Sequence, residues 1–301
     1  MKRSVTCVAP VGDKCGEGAV WSASEQALYW SDINRFLVHR YEEASGSVRF
    51  WLFDEPVVAV SLTDEPGRLL LALASKLVWW WPETDRREDH GFRLPGYPRV
   101  RLNDGRADPA GNFWVGSMKN NVLPDGELGE AAEGEGILYR ITPDGAVSEW
   151  RHGLGISNTL CWSPDSSTFY FADTLANEIY VFDYAMADGS ISNERTFLAD
   201  FSRGSPDGSA MDSDGYLWNC RFGGGCIARI SPAGTVAEMI EMPVTNITTC
   251  TFGGADLKTL YVTTASILSK PGERLAGSLY ALKVGTPGLV ENRFGGAARH
   301  A

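Results

Sequence analysis

LNDGRADPAGNFWVGSM, residues 102–118, joins two extended runs through an acidic Pro/Gly turn. In Asp108-Pro109-Ala110-Gly111, Pro presets φ and Gly supplies the positive φ that a tight reversal needs. The FWV that follows has the aromatic and β-branched character of a buried, pleated strand. The same grammar recurs along the chain. GEGAVWSASEQALYWSD starts at Gly16, VVAVSLTDEPGRLLLALA at Val57, ISNTLCWSPDSSTFYFADT at Ile156, PDGSAMDSDGYLWNCRF at Pro206 and ITTCTFGGADLKTLYVTTA at Ile247. After most copies comes a second hairpin, as in GILYRITPDG or CIARISPAG. Each unit thus supplies four strands in about 40–55 residues, the arithmetic of a propeller blade.

The repeat predicts an all-β fold: a six-bladed β-propeller with four antiparallel strands per blade, residues 1–301 forming a single domain. Blades are expected to start near 16, 57, 102, 156, 206 and 247. No stretch carries a sustained 3.6-residue apolar stripe, so almost no helix is expected. SVTCVAP near the N-terminus is the candidate strand for closing the ring against the last blade. The competing fold is a β-sandwich, which the regular repeat disfavours. KNNVLPDGELGEAAEGEG, residues 119–136, interrupts blade three as a long polar insertion, either a lid or an acidic excursion.

Composition narrows the function classes. A net charge of −11 over 301 residues argues against nucleic-acid and anionic-membrane partners. No run is long and apolar enough to span a bilayer. The start, MKRSVTCVAPVGDKCGEG, is too broken by Pro10, Asp13 and Lys14 for a signal peptide. The six cysteines form no C-x-x-C pair and read as free thiols, so a cytoplasmic monomer is expected. Asp212-Ser213-Asp214-Gly215 lacks the remaining ligands of a calcium loop and reads as a hairpin turn. The four scattered histidines and the absence of G-x-S-x-G disfavour a zinc-histidine site and a Ser-His-Asp triad.

The first strand of each propeller blade lines a central channel, and the leading ends of these strands share one mouth. Equivalent positions there are Glu17; Arg101, Asn103 and Asp104; Ser157 and Asn158; Asp207 and Ser209. Each taken alone could be a turn residue. Converging on one axis, their carboxylate and carboxamide oxygens suit Ca²⁺, Mg²⁺ or Mn²⁺ and tolerate Zn²⁺ or Fe²⁺. Three protein oxygens would leave positions open for water and substrate.

GEGAVW, RLNDGRADPAGNFWVGSM, ISNTLCWSPDSSTFYFADT, PDGSAMDSDGYLW and CTFGGADLKTLYVTTA resemble the gluconolactonase, regucalcin (senescence marker protein) and luciferin-regenerating-enzyme family. The resemblance runs from about Gly16 to Leu282 and is closer to the bacterial aldonolactonase branch than to the animal one. It implies one divalent cation in the channel, held by Glu17, Asn158 and Asp207. It implies substrate contacts from Arg101 and Asn103, and hydrolysis of sugar lactones to aldonic acids. Two departures stand out. The family's S-N-G is Ser157-Asn158-Thr159 here, with Thr159 expected to narrow the pocket. The animal branch has Glu three residues after G-T-M, where this chain has Asn121 after Gly116-Ser117-Met118; Asn121 joins the expected substrate contacts.

On this reading the cation acidifies water and polarises the lactone carbonyl, with Asp207 as general base. Alternatives are a phosphotriesterase-like hydrolase on the same scaffold and a non-catalytic calcium-binding regulatory protein. A protein-interaction propeller would not explain the converging carboxylates.

Overall fold

The structure, a computed structural model, describes residues 4–296. Six sheets are arranged as propeller blades, and no helix occurs among the described residues. The innermost strands are Gly16–Ser22, Val57–Thr63, Val100–Ala107, Ser157–Trp162, Ser205–Met211 and Ile247–Gly253. They are nearly continuously buried, because each packs against the innermost strands of both neighbouring blades. The space between blades is filled by large aromatics. Trp114 of blade three, for example, packs 5.2 Å from Phe169 of blade four, which lies 5.0 Å from Trp162.

The ring closes as SVTCVAP suggests. Thr6–Ala9 is the outermost strand of blade six and pairs antiparallel with Leu279–Lys283. A second closure was not legible in the repeat. Arg293–Phe294 adds a fifth, parallel strand to blade two, beside Leu62 and Thr63.

The turn grammar has a specific cause. Asp108 is fully buried and accepts the Asn112 N–H at 2.7 Å and the Trp114 indole N–H at 2.8 Å. Asp212 does the same with the Tyr216 N–H and the Trp218 indole, at 2.9 Å each, and also takes the Arg229 guanidinium. In blades three and five an Asp that opens the turn six residues before a Trp thus ties the hairpin to the core. Asp212-Ser213-Asp214-Gly215 is such a hairpin.

All six innermost strands share a further feature. The pairing with the second strand slips at Glu17/Val20, Val57/Ala59, Asn103/Gly105, Asn158/Cys161, Pro206/Ser209 and Ile247/Cys250. Such bulges bend a strand and re-aim its side chains. Here they lie at one level of the ring, beside Glu17, Asn103, Asn158 and Asp207.

Candidate metal centre

Glu17 of blade one and Asp207 of blade five are both buried, 7% and 6% exposed, and their carboxyls are hydrogen-bonded to each other. Burial and then the nearby negative charge push both well above the usual carboxylate range. For Glu17 the strongest such charge is that of Asp207, and for Asp207 it is that of Asp104. Asp104 lies beneath them, raised to about 6 chiefly by its own burial, although Arg106 and the N–H groups of Gly105 and Thr159 pull it down.

Asn158 and Asn103 join the acids. The Asn103 Nδ2 donates to the Ser157 carbonyl at 2.9 Å and reaches Asn158 Oδ1 at 3.4 Å. Asn158 Nδ2 donates to Thr174 Oγ1 at 2.8 Å, and that hydroxyl donates to the Pro206 carbonyl at 2.7 Å. Blades three, four and five are thus laced together at the level of the acids. The Arg101 guanidinium is buried and, among the described residues, bonds neutral oxygens alone: Asn121 Oδ1 at 2.8 and 3.2 Å, Asn103 Oδ1 at 2.7 Å and the Leu102 carbonyl at 2.8 Å. Burial lowers it to about 10, against the opposing pull of Cys15 and Glu17.

The structure therefore gathers Glu17, Arg101, Asn103, Asp104, Asn121, Asn158 and Asp207 at one end of the channel. Two expected neighbours point elsewhere. The fully buried Ser157 faces Gly116 of blade three, where any Cβ would lie 1.6 Å from its hydroxyl. The hydroxyl of Thr159 donates to the Asp207 carbonyl and meets Ser209 Oγ at 2.9 Å. Thr159 is therefore fully buried in the seam between blades four and five rather than narrowing the pocket.

Sequence reasoning passed over Cys15, Arg221 and Asn219. Cys15 lies in the bend just before the strand that carries Glu17, and its thiol is near enough to feel the charges of Glu17 and Asp207. Its thiol is pushed well up by burial and then by Glu17, Asp207 and Asp32. Asn219 Nδ2 donates to the Asp207 carbonyl at 3.2 Å and to Ser209 Oγ at 3.0 Å. Arg221 braces Asn219 Oδ1 at 3.0 Å.

The insertion is a roof over this mouth. Asn34 Nδ2 donates to the Gly126 carbonyl at 3.0 Å, and Lys14 Nζ pairs with Glu127 at 2.6 Å. Blade three thereby reaches across to blade one. Beneath the acids, a void of about 20 Å³ is bordered by Asp104, Arg106, Ser209, Thr249 and Glu291, enough for one water. A larger concavity of about 1340 Å³ opens at the far mouth, without the acid pair. Arg106 and Glu291, 2.8 Å apart, stand between the two.

Among the described residues no three His, Cys, Asp or Glu side chains form a metal-binding group. A cation here would draw its third protein oxygen from a carboxamide, and Asn158 supplies one. The set fits a hard divalent cation, because two touching buried carboxyls cannot both ionise without a counter-charge.

The profile described as "SMP-30/Gluconolactonase/LRE-like region" matches residues 15–266. The chain is 34% identical to 6-deoxy-6-sulfogluconolactonase of Pseudomonas putida, over 98% of this chain and 100% of that relative. It is 33% identical to pentonolactonase XacC of Haloferax volcanii, over 96% and 98%. A crystal structure described as a calcium-binding protein, regucalcin, from Agrobacterium tumefaciens superposes with a TM-score of 0.90, covering 98% of each chain at 24% identity. With its channel, its acid pair and a match over most of its length, the chain belongs to the SMP-30/gluconolactonase/LRE-like family.

Proposed function

We propose that this protein hydrolyses a sugar lactone to the corresponding aldonic acid, with one divalent cation held by Glu17, Asn158 and Asp207. The observation that carries the reading is the buried Glu17–Asp207 pair, brought together from blades one and five beside Arg101 and Asn103. Its relatives named as lactonases are carboxylic-ester hydrolases, which supports the reaction class.

A divalent cation in this set supplies Lewis acidity and makes water more acidic. The chain's own groups do the rest. Asp207, ionised once its proton is expelled, accepts a proton from the attacking water. The water oxygen bonds to the lactone carbonyl carbon, and the bond from that carbon to the ring oxygen breaks. The ring oxygen leaves as a hydroxyl after taking up a proton, so lactone and water give one hydroxy acid. Arg101 and Asn103, locked to each other, orient the sugar's oxygens away from the reacting carbonyl. The roof from residues 119 to 136 limits water around the reacting centre.

The test is acid release, followed with a pH indicator, from glucono-, galactono-, xylono- and arabinono-lactones with Ca²⁺, Mg²⁺, Mn²⁺, Zn²⁺ or Fe²⁺. Cation-dependent release above the spontaneous rate is expected. Faster turnover of a phosphotriester such as paraoxon would replace this reading with the phosphotriesterase one. Cation binding without hydrolysis of any ester would leave a regulatory protein.

A further inference from the structure

Arg101 has five N–H donors, and four are taken by Asn121 Oδ1 (twice), Asn103 Oδ1 and the Leu102 carbonyl. Among the described residues the second Nη2 proton has no acceptor. Because Asn121 Oδ1 is locked by the guanidinium, its Nδ2 is the free end of the carboxamide, and it too has no acceptor. Asn121 is 9% exposed and Arg101 5%, so the spare guanidinium proton sits in a largely buried setting, with the Asn121 amide beside it reaching accessible space. A buried guanidinium proton without an acceptor is costly, and a ligand acceptor would relieve it.

The charges agree. A divalent cation held by Glu17, Asn158 and Asp207 would offset the two carboxylates. Arg101 then remains as a buried positive charge with no carboxylate among its hydrogen-bond partners. A Glu at position 121 would pair with Arg101 and present an acceptor to sugar hydroxyls. Asn121 leaves the charge open and presents a donor.

The geometry points to a substrate that carries an anionic group, a carboxylate or sulfonate, on the carbon chain remote from the lactone carbonyl, received by Arg101 and Asn121. This rests on the lactonase reading for the reaction but not for the binding. The acidic exterior does not decide the matter at 0.15 M salt, where charges beyond about 8 Å are largely screened.

Two measurements test it. The first compares kcat/KM of the cation-loaded protein for glucono-1,5-lactone, a glucaric acid monolactone and a 6-sulfonated gluconolactone. The anionic lactones are expected to be favoured at least tenfold, mainly through KM, and Asn121→Glu should cut that ratio at least tenfold. Equal or better turnover of the neutral lactone overturns the proposal, as does a ratio untouched by Asn121→Glu in a protein that melts normally. The second is calorimetric titration with glucose, glucuronate and a glucose 6-sulfonate, none of which is a lactone. Tighter binding of the anionic sugars, weakened by Asn121→Glu, supports the subsite even if no lactone is hydrolysed, in which case only the lactonase reading falls. Equal binding of all three overturns the subsite. The two anionic arms tell a sulfonate site from a carboxylate site. Should Asn121→Glu fail to fold, the wild-type comparisons decide alone.

Discussion

Thr159 holds φ at +55°, in the left-handed region, where a β-branched residue costs about 1–2 kcal/mol. It is kept there by its hydroxyl, which ties Asp207 and Ser209 of blade five to the blade-four strand that carries Asn158. Thr159→Val retains the strain and loses the ties. It should destabilise the protein by about 1–3 kcal/mol in urea unfolding and weaken cation binding in calorimetry. Thr159→Ser should behave close to wild type in both.

The neighbouring carboxyls make a second prediction. Glu17, Asp207 and Asp104 hold their protons more tightly in the folded, metal-free protein than in the unfolded chain, where carboxyls titrate near pH 4. Their contribution to stability is full below about pH 4 and is lost as the pH rises through the folded values, about 6 for Asp104. The metal-stripped protein should therefore gain melting temperature as the pH falls from 7.5 to 5. Saturating cation, which favours the ionised carboxyls, should remove that trend. The convergence of Glu17, Asn158 and Asp207 was legible because they stand at matching positions near the starts of innermost strands. The bonding of Thr159 was not, since a threonine in a strand says nothing of the backbone φ that aims it.

At the scale of elements, the hairpins were legible and the bulges were not. Asp108-Pro109-Ala110-Gly111 and Asp212-Ser213-Asp214-Gly215 mark their turns by composition. A slip of pairing at Asn158 or Asn103 depends on hydrogen bonds between strands that no local pattern encodes. The insertion was legible as a long loop, but its docking was not, because its partners Lys14 and Asn34 lie some 90–110 residues earlier in the chain. Gly126 is decisive for that docking. Its φ is +76°, and a Cβ would stand 2.1 Å from the Asn34 carbonyl oxygen. Gly126→Ala should lift the roof, raising KM several-fold and speeding proteolysis within residues 119–136. Limited trypsin or Glu-C digestion would show it; unchanged KM and cleavage rate would mean the roof does not depend on this contact.

At the scale of the molecule, the channel has one working mouth because the C-terminal strap closes the other. Glu291 accepts from Arg106 at 2.8 Å and from Thr251 at 2.9 Å, while Asn292 and Arg293 bond the Ala107 and Thr63 carbonyls. The pair keeps 20% and 12% side-chain exposure, so it is mostly dry. Glu291→Ala would strand Arg106 below Asp104 and should cost about 3 kcal/mol in urea unfolding, with Glu291→Gln costing less. The strap was invisible in the sequence because it lies beyond the last repeat and has no periodicity. The N-terminal closure was visible because it completes a blade.

The central claim is that Glu17, Asn158 and Asp207 hold the cation that makes this propeller a lactonase. Its most direct test is the initial rate of acid release from an aldonolactone by metal-stripped protein, before and after cation is restored, in wild type and in Asp207→Ala. A rate near the spontaneous one is expected without cation, with recovery on its return and no recovery in Asp207→Ala. Full turnover by metal-stripped wild type, or by Asp207→Ala, would contradict it.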